Sequence, residues 1–258
     1  MKSLHNKTAI ITGSTSGIGE ATAYKLAELG AKVLVTGRDP ERGSKVAAEI
    51  IGQGGEALFV QADLSDPSVP GKLVQAAISQ WGRLDIVVNN AALVCSKPLA
   101  EVTHQDWDRL FAVNVKAGFF LIQAALPYLR ETQGAVVNVS SINGEINAHD
   151  NLVYDTMKAA LNHMTRGLAF ELRKEGVRFN ALLPAGVATP LLEQWLQQKL
   201  GDPEAAKQAA DRSYDDPRVG KPEQIASAVA FLVSQESSWV NGALIPIEGG
   251  FTLGNTKD

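Results

Sequence analysis

A single cysteine, Cys95, stands in 258 residues, so no internal disulfide framework and no cysteine-rich metal site can form. The four histidines, His5, His104, His149 and His163, lack metal-ligand spacing, and no bound metal is expected. Neither sign of charge dominates. Against 24 basic residues stand 28 acidic ones, a net charge of −4 that offers no footprint for nucleic acid. No apolar run reaches the roughly 18 residues that span a bilayer. The opening MKSLHNKTAIITG has too short an apolar stretch for a signal peptide. Linkers, repeats and low-complexity segments are missing as well. These absences predict one cytoplasmic globular domain over 1–258, with neither a membrane nor a nucleic-acid partner.

What is present is an alternation of periods. Short apolar runs at 8–12, 32–36, 57–61, 84–90, 135–141, 177–183 and 243–247 read as strands. Helical patterns separate them at 17–29, 40–51, up to Trp81, about 103–130 and 153–172. Strands that are apolar on both faces and alternate with helices argue for a parallel sheet covered twice. Right-handed crossovers then predict a fold of class α/β: a Rossmann-type, doubly wound, parallel seven-stranded sheet with helices on both faces. The segment 187–214 exceeds the alternation and is expected to be a lid over the strand ends.

The helical stretch VYDTMKAALNHMTRGLAFEL places Tyr154 and Lys158 four residues apart on one face. Leu161, Thr165, Leu168 and Leu172 continue that face. By itself the pair is either a snorkelling surface contact or a site, and the spacing occurs by chance on many helices.

The run ITGSTSGIGEATAYKLAELG sets Gly13, Gly17 and Gly19 between the first strand and the first helix. Glycines there let the backbone turn and approach a diphosphate at a helix N-terminus, although tight helix–strand packing needs glycine too. The spacing G-x-x-x-G-x-G departs from G-x-G-x-x-G, and the missing G-K-[ST] ending argues against a triphosphatase. At the end of the second strand, VLVTGRDPER, Gly37 offers no carboxylate for a ribose 2′-hydroxyl. Asp39 before Pro40 reads as a helix cap. Arg38 offers a fork suited to a 2′-phosphate, so NADP is expected ahead of NAD.

With these pieces in order the chain resembles the short-chain dehydrogenase/reductase family over nearly its whole length. The matching motifs are TGSTSGIG (12–19), ADL (62–64), NNAA (89–92), VNV around Asn114, SSINGE (140–145), YDTMK (154–158), LPAGVAT (183–189) and IPIEGG (246–250). Ala92 stands where the family has glycine, and Pro184-Ala185 carries its glycine one place late, at Gly186. The resemblance implies Tyr154 as general acid and base, Lys158 as the group that lowers its pKa and holds the nicotinamide ribose, and Ser141 as hydrogen-bond partner of the substrate oxygen. It implies Asn114 as anchor of a water relay to Lys158. For the cofactor it implies the loop residues Gly13, Thr15, Ser16, Gly17, Ile18 and Gly19, with Asp63 and Leu64 at the adenine. Asn90 and Ala91 fall near the adenosine ribose, and Val187 and Thr189 at the carboxamide. It also implies a homotetramer, through the closing VNGALIPIEGGFTLG.

The chemistry needs these residue types. Hydride addition to a carbonyl leaves an alkoxide that requires a proton donor within reach. Bringing a phenol from a pKa near 10 to about 7 takes roughly 4 kcal/mol. An ammonium about 4 Å away at an effective dielectric near 20 supplies about that much. The expected function is therefore an NADP(H)-dependent oxidoreductase interconverting a small-molecule ketone and a secondary alcohol, with NAD(H) as the alternative cofactor. A non-catalytic dinucleotide-binding protein is the reading from another class. Asn143, Asn147 and His149, in the loop between Ser141 and Tyr154, are candidate substrate contacts, although a solvated histidine is the plainer reading. Cys95 is expected to be a packed thiol.

Overall fold

Each apolar run has two faces to bury, and that requirement shapes the structure, a computed structural model that describes residues 3–254. The two ends of the expected 1–258 domain lie outside the described residues. The first half runs β1 (Thr8–Ile11), α1 (Gly17–Glu28), β2 (Lys32–Gly37), α2 (Pro40–Gly52), β3 (Glu56–Gln61), α3 (Val69–Trp81) and β4 (Ile86–Asn89). After α4 (His104–Phe111) and α5 (Ala117–Thr132) come β5 (Ala135–Val139), α6 (Leu152–Glu171) and β6 (Arg178–Pro184). The chain closes with α7 (Pro190–Leu200), α8 (Pro203–Ser213), α9 (Pro222–Val233) and β7 (Leu244–Ile247).

The seven strands lie in the order β3-β2-β1-β4-β5-β6-β7, and every neighbouring pair is parallel. Strand alternation divides the core in two. Ile11, Val33, Val35, Ile86, Val88 and Val137 pack under α1 and α9 with Leu26, Ile225 and Val229. Ile10, Leu34, Val87, Val136 and Phe179 pack under α3 and α5 with Leu73, Leu121 and Leu129. The chain moves outward from β1 through β2 to β3, then returns to place β4 on the other side of β1. The crevice this reversal leaves at the carboxyl ends of β1 and β4 is where open α/β sheets bind ligands.

Local signals start the helices as expected. Asp39 accepts from the backbone N–H of Glu41 and Arg42, with Pro40 in the first turn of α2. The segment 187–214 becomes a hairpin whose arms repeat the device: Thr189 caps α7 ahead of Pro190, and Asp202 caps α8 ahead of Pro203.

Two expectations need correction. The helix predicted over 103–130 is broken by one π-helical turn, Ala112–Lys116, between α4 and α5. The cause is Asn114, whose side-chain amide bonds both ways to the Leu93 backbone (2.8 and 2.9 Å) and draws its turn toward that loop. Taken together, His104–Thr132 is also long and apolar enough, by length and composition, to cross a membrane, where the sequence alone showed no such run. Here its buried residues Leu121, Ile122, Ala125 and Leu129 pack in the core beneath the sheet.

Asp85, just before β4, is 2% exposed. It accepts from Thr8 N at 3.0 Å, Lys7 Nζ at 3.0 Å and Arg83 Nε at 2.8 Å, tying β1 to β4. Burial pushes its pKa up, but the bonds from Arg83, Thr8 and Lys7 together outweigh burial and hold it below the ordinary carboxylate range. A depressed carboxylate stabilises the fold above its unfolded value, and that contribution is lost as pH falls through the folded value. Asp85→Ala should cost about 2–3 kcal/mol at pH 7. Thermal melts of the two proteins should converge as pH falls below the ordinary carboxylate range.

Candidate active site

The glycine loop is shaped by what cannot fit beside it. A Cβ on Gly19 would lie 2.4 Å from the Gly13 carbonyl oxygen and 2.5 Å from Asn90 Nδ2. Gly13 and Gly17 have φ of +64° and +57°, the left-handed region that suits glycine. Asn90, at the end of β4, holds the loop by donating to Thr12 O (2.8 Å) and Gly13 O (3.2 Å). Its side-chain N–H groups are therefore spent on the loop, while Asn90 also lines the groove. Ser14 stitches the loop to β2, its Oγ accepting from Thr36 N at 2.9 Å. The N-cap Ser16 makes no side-chain bond to α1, whose first N–H groups face the loop without intrahelical partners.

Over this loop opens a groove of about 1080 Å³. Of the residues expected at a dinucleotide, Gly13, Thr15, Ser16, Gly17, Ile18, Arg38, Asp63, Leu64, Asn90, Ala91 and Thr189 line it. The cradle fits a dinucleotide. A glycine loop approaches where a side chain would block it, a helix N-terminus meets the diphosphate position, and a cation waits at the end of β2. The acid position is empty for a steric reason: a Cβ on Gly37 would lie 2.6 Å from Thr15 Cγ2. Asp39 is committed to capping α2 and to Arg42 Nε (2.7 Å), which leaves Arg38 exposed at the rim. Asp63 accepts from Ser65 N and Oγ, bonds that hold its pKa below the ordinary range.

Val187, expected at the carboxamide, is instead buried beside Gly220 and does not line the groove. Thr189 packs on the glycine loop, where a Cβ on Gly17 would lie 3.0 Å from Thr189 Cγ2. Sequence reading missed Gln105, Asp108 and Arg109 of α4 and Gln194 of α7, which also line the groove. No local pattern marks them; packing of two helices over the strand ends brings them there.

The corner expected to react lies at the carboxyl end of β5. Ser141 follows the strand and caps a short turn, its Oγ accepting from Asn143 N at 3.1 Å and donating to Pro184 O at 3.4 Å. Tyr154 enters on the first turn of α6, and Lys158 follows one turn later with Nζ 5.4 Å from the phenol ring centre. Lys158 is 2% exposed and donates to Val139 O at 2.8 Å.

The electrostatics differ from the sequence expectation. Tyr154 stays partly exposed as a residue, but its hydroxyl is enclosed by protein. Burial pushes the phenol pKa above its ordinary value; Ser141 opposes this in part and Asp155 adds to it. Burial also brings the Lys158 ammonium down to about 8. Burial thus works against an acidified phenol, because loss of water disfavours the charged form of each group.

The contacts bear on three further expectations, and for His149 they match the plainer reading. Asn114 uses its side chain on Leu93, so any relay toward Lys158 has to run through its main chain. The Asn143 amide donates to Asp155 Oδ1 at 2.8 Å, which turns that N–H toward α6 and away from a substrate. His149 is exposed and lies 2.9 Å from Asp150, a solvated loop residue. Cys95 is buried as a packed thiol, its pKa raised chiefly by burial.

Comparison with known proteins agrees with this geometry. A family model described as Enoyl-(Acyl carrier protein) reductase matches residues 13–252. The short-chain dehydrogenase/reductase FrzI of a Cladobotryum species is 38% identical over 260 residues, covering 96% of each chain. Cyclopentanol dehydrogenase of Comamonas sp. strain NCIMB 9872 is 32% identical over 253 residues, covering 98% of this chain and 99% of that one. The crystal structure of levodione reductase matches with a TM-score of 0.90 at 31% identity, over 98% of this chain and 100% of that one. The chain belongs to the short-chain dehydrogenase/reductase family. It is an NAD(P)-dependent oxidoreductase of the alcohol dehydrogenase and carbonyl reductase kind.

Gly19→Ala should weaken dinucleotide binding at least about tenfold, because the new methyl displaces the loop from Asn90. Titration of cofactor fluorescence would measure it, with an unchanged circular dichroism spectrum as the control for folding.

Proposed function

We propose that the protein interconverts a ketone and a secondary alcohol with NADP(H), using Tyr154 as the proton donor and acceptor. The observation that carries this reading is the convergence of Ser141, Tyr154 and Lys158 at the end of β5, on the same carboxyl edge of the sheet as a cradle built for a dinucleotide. A bound nicotinamide supplies or accepts the hydride and, when oxidised, adds a positive charge to the corner. Ser141 orients the substrate oxygen by a hydrogen bond. Tyr154 passes its phenolic proton to the alkoxide as it forms, and takes it back in the reverse reaction. Lys158, fixed by Val139 O, holds the ribose and tempers the phenol.

Burial keeps the phenol protonated, which suits the acid role. Reduction should therefore hold level across neutral pH, while oxidation climbs toward alkaline pH as Tyr154 deprotonates. The preference for NADP rests on Arg38, exposed at the rim with Gly37 side-chain-free and Asp39 spoken for. The α7–α8 hairpin serves as the lid: Thr189, Pro190, Leu191 and Gln194 reach the groove, and Gln198 Oε1 ties α7 to the loop after β4 by accepting from Ser96 N at 2.8 Å. Phe111, Phe119, Phe120 and Phe170 are each 40% or more exposed on α4, α5 and α6, and Trp239 and Phe251 stand exposed near β7. We assign these apolar faces to the contacts of a homotetramer.

Tyr154→Phe should lower kcat about 10²–10⁴-fold while leaving cofactor affinity nearly intact. Full activity in that variant would overturn the reading. Arg38→Leu should reduce the ratio of kcat/KM for NADPH over NADH about 10–100-fold, the worth of one charge-assisted phosphate contact. A wild-type preference for NADH would remove Arg38 from its role. Phe120→Glu should shift the sedimenting species to a smaller assembly.

A further inference from the structure

The loop 142–151 has an exacting task and few apolar anchors. Ile142 is buried, but Ile146, Asn147 and His149 are exposed. The loop nevertheless joins two hydroxyls, of Ser141 and Tyr154, that must meet one substrate oxygen. What holds it is Asp155, the residue next to the tyrosine, 3% exposed on α6. Its Oδ1 accepts from Asn143 Nδ2 and from Asn151 Nδ2, each at 2.8 Å, and its Oδ2 from Ala148 N at 2.9 Å. The three donors come from the start, the far arm and the end of the loop. No lysine, arginine or histidine pairs with this carboxylate among the described residues. A carboxylate buried without a cation is costly unless N–H groups satisfy it, so loss of the loop conformation would strand it. The loop lies hard against the helix as well: a Cβ on Gly144 would sit 2.9 Å from the Lys158 carbonyl oxygen.

We propose that Asp155 is a positioning residue for the reaction, clamping loop 142–151 through Asn143, Ala148 and Asn151 so that Ser141 and Tyr154 present their hydroxyls together. The inference rests on the reading of Tyr154 as proton donor given above. It also gives Asn143 a place in the clamp in place of a substrate contact. The Asp155 charge has a second effect, since it raises the phenol pKa. Lys158 on the same helix stands over the Tyr154 ring, and Cys95, from the loop after β4, shares an apolar cluster with Tyr154, Leu110 and Val115.

Asp155→Asn preserves shape and the two bonds to Oδ1 but sets an N–H donor against Ala148 N, while Asp155→Ala removes all three bonds. Reduction kcat should fall about tenfold in the first and about 100-fold in the second, the size expected for a misplacement near 1 Å. The Kd for NADPH should stay within about twofold of wild type, since the clamp touches no part of the cofactor groove. In Asp155→Asn the inflection of the oxidation pH profile should move to lower pH by about half a unit, because the negative charge is gone. Adding Asn143→Ala to Asp155→Ala should cost little more, as expected for members of one network. The inference is overturned if Asp155→Ala keeps kcat within about threefold of wild type. It is also overturned if Asp155→Asn loses activity only in step with lost folded protein, with the pH inflection unmoved. Tyr154→Phe measured alongside separates the two levels. An active Tyr154→Phe overturns the parent reading and this one with it, whereas an inactive Tyr154→Phe beside a normal Asp155→Ala overturns this one alone.

Discussion

Close approach of backbone to backbone in the crevice between β1 and β4 is the constraint from which the site follows. The chain reverses its direction of travel across the sheet there, so no strand connection fills the space. Thr12 Oγ1 accepts the N–H of both Asn90 and Ala91, and the Asn90 amide returns two bonds to the carbonyls of Thr12 and Gly13. A lattice this tight has no volume for a side chain at Gly19. It aims the start of α1 at the groove, and it offers a flat landing at Gly17 for Thr189, on which α7 begins. The phosphate end of the site and the hairpin above it are thereby set from one place.

The reacting corner is built by another device, buried polar chains that fix how far α6 stands along the sheet. Asn89 Nδ2 donates to Asn138 Oδ1 at 2.9 Å, and Asn138 Nδ2 to Thr165 Oγ1 at 2.8 Å, linking β4, β5 and α6 in series. Ser140 Oγ donates to the Lys158 carbonyl at 3.2 Å. In a low-dielectric interior such chains tolerate little slippage, since any shift leaves a group unpaired. The same dryness raises the phenol and lowers the ammonium. In the reaction proposed above, a corner arranged in this way holds its proton until a developing alkoxide takes it.

Much of this was legible from the chain alone. All seven strands stand within two residues of their expected limits, because parallel strands covered on both faces must be uninterrupted apolar runs. Asp39 with Pro40 announced a helix start, and the glycine spacing announced the loop. The break at 112–116 was hidden, because a π turn drawn by Asn114 toward Leu93 depends on a partner some 20 residues away that shares no local pattern with it. The same reason hid Arg109 and Gln194 from the groove, and hid the commitment of Asn143 to Asp155.

The sequence by itself determined the alternation of strand and helix, the parallel doubly wound class of the sheet, and which side chains could move a proton, since these follow from local periodicity and from which side chains titrate. Only the tertiary structure decided what those groups are worth. How dry the phenol is, which amides are free and which are spent, and how the lid reaches the groove all depend on atoms distant in the chain that share one enclosed volume. Desolvation and hydrogen-bond partnership are properties of that volume, and they come into being only when the chain closes around it.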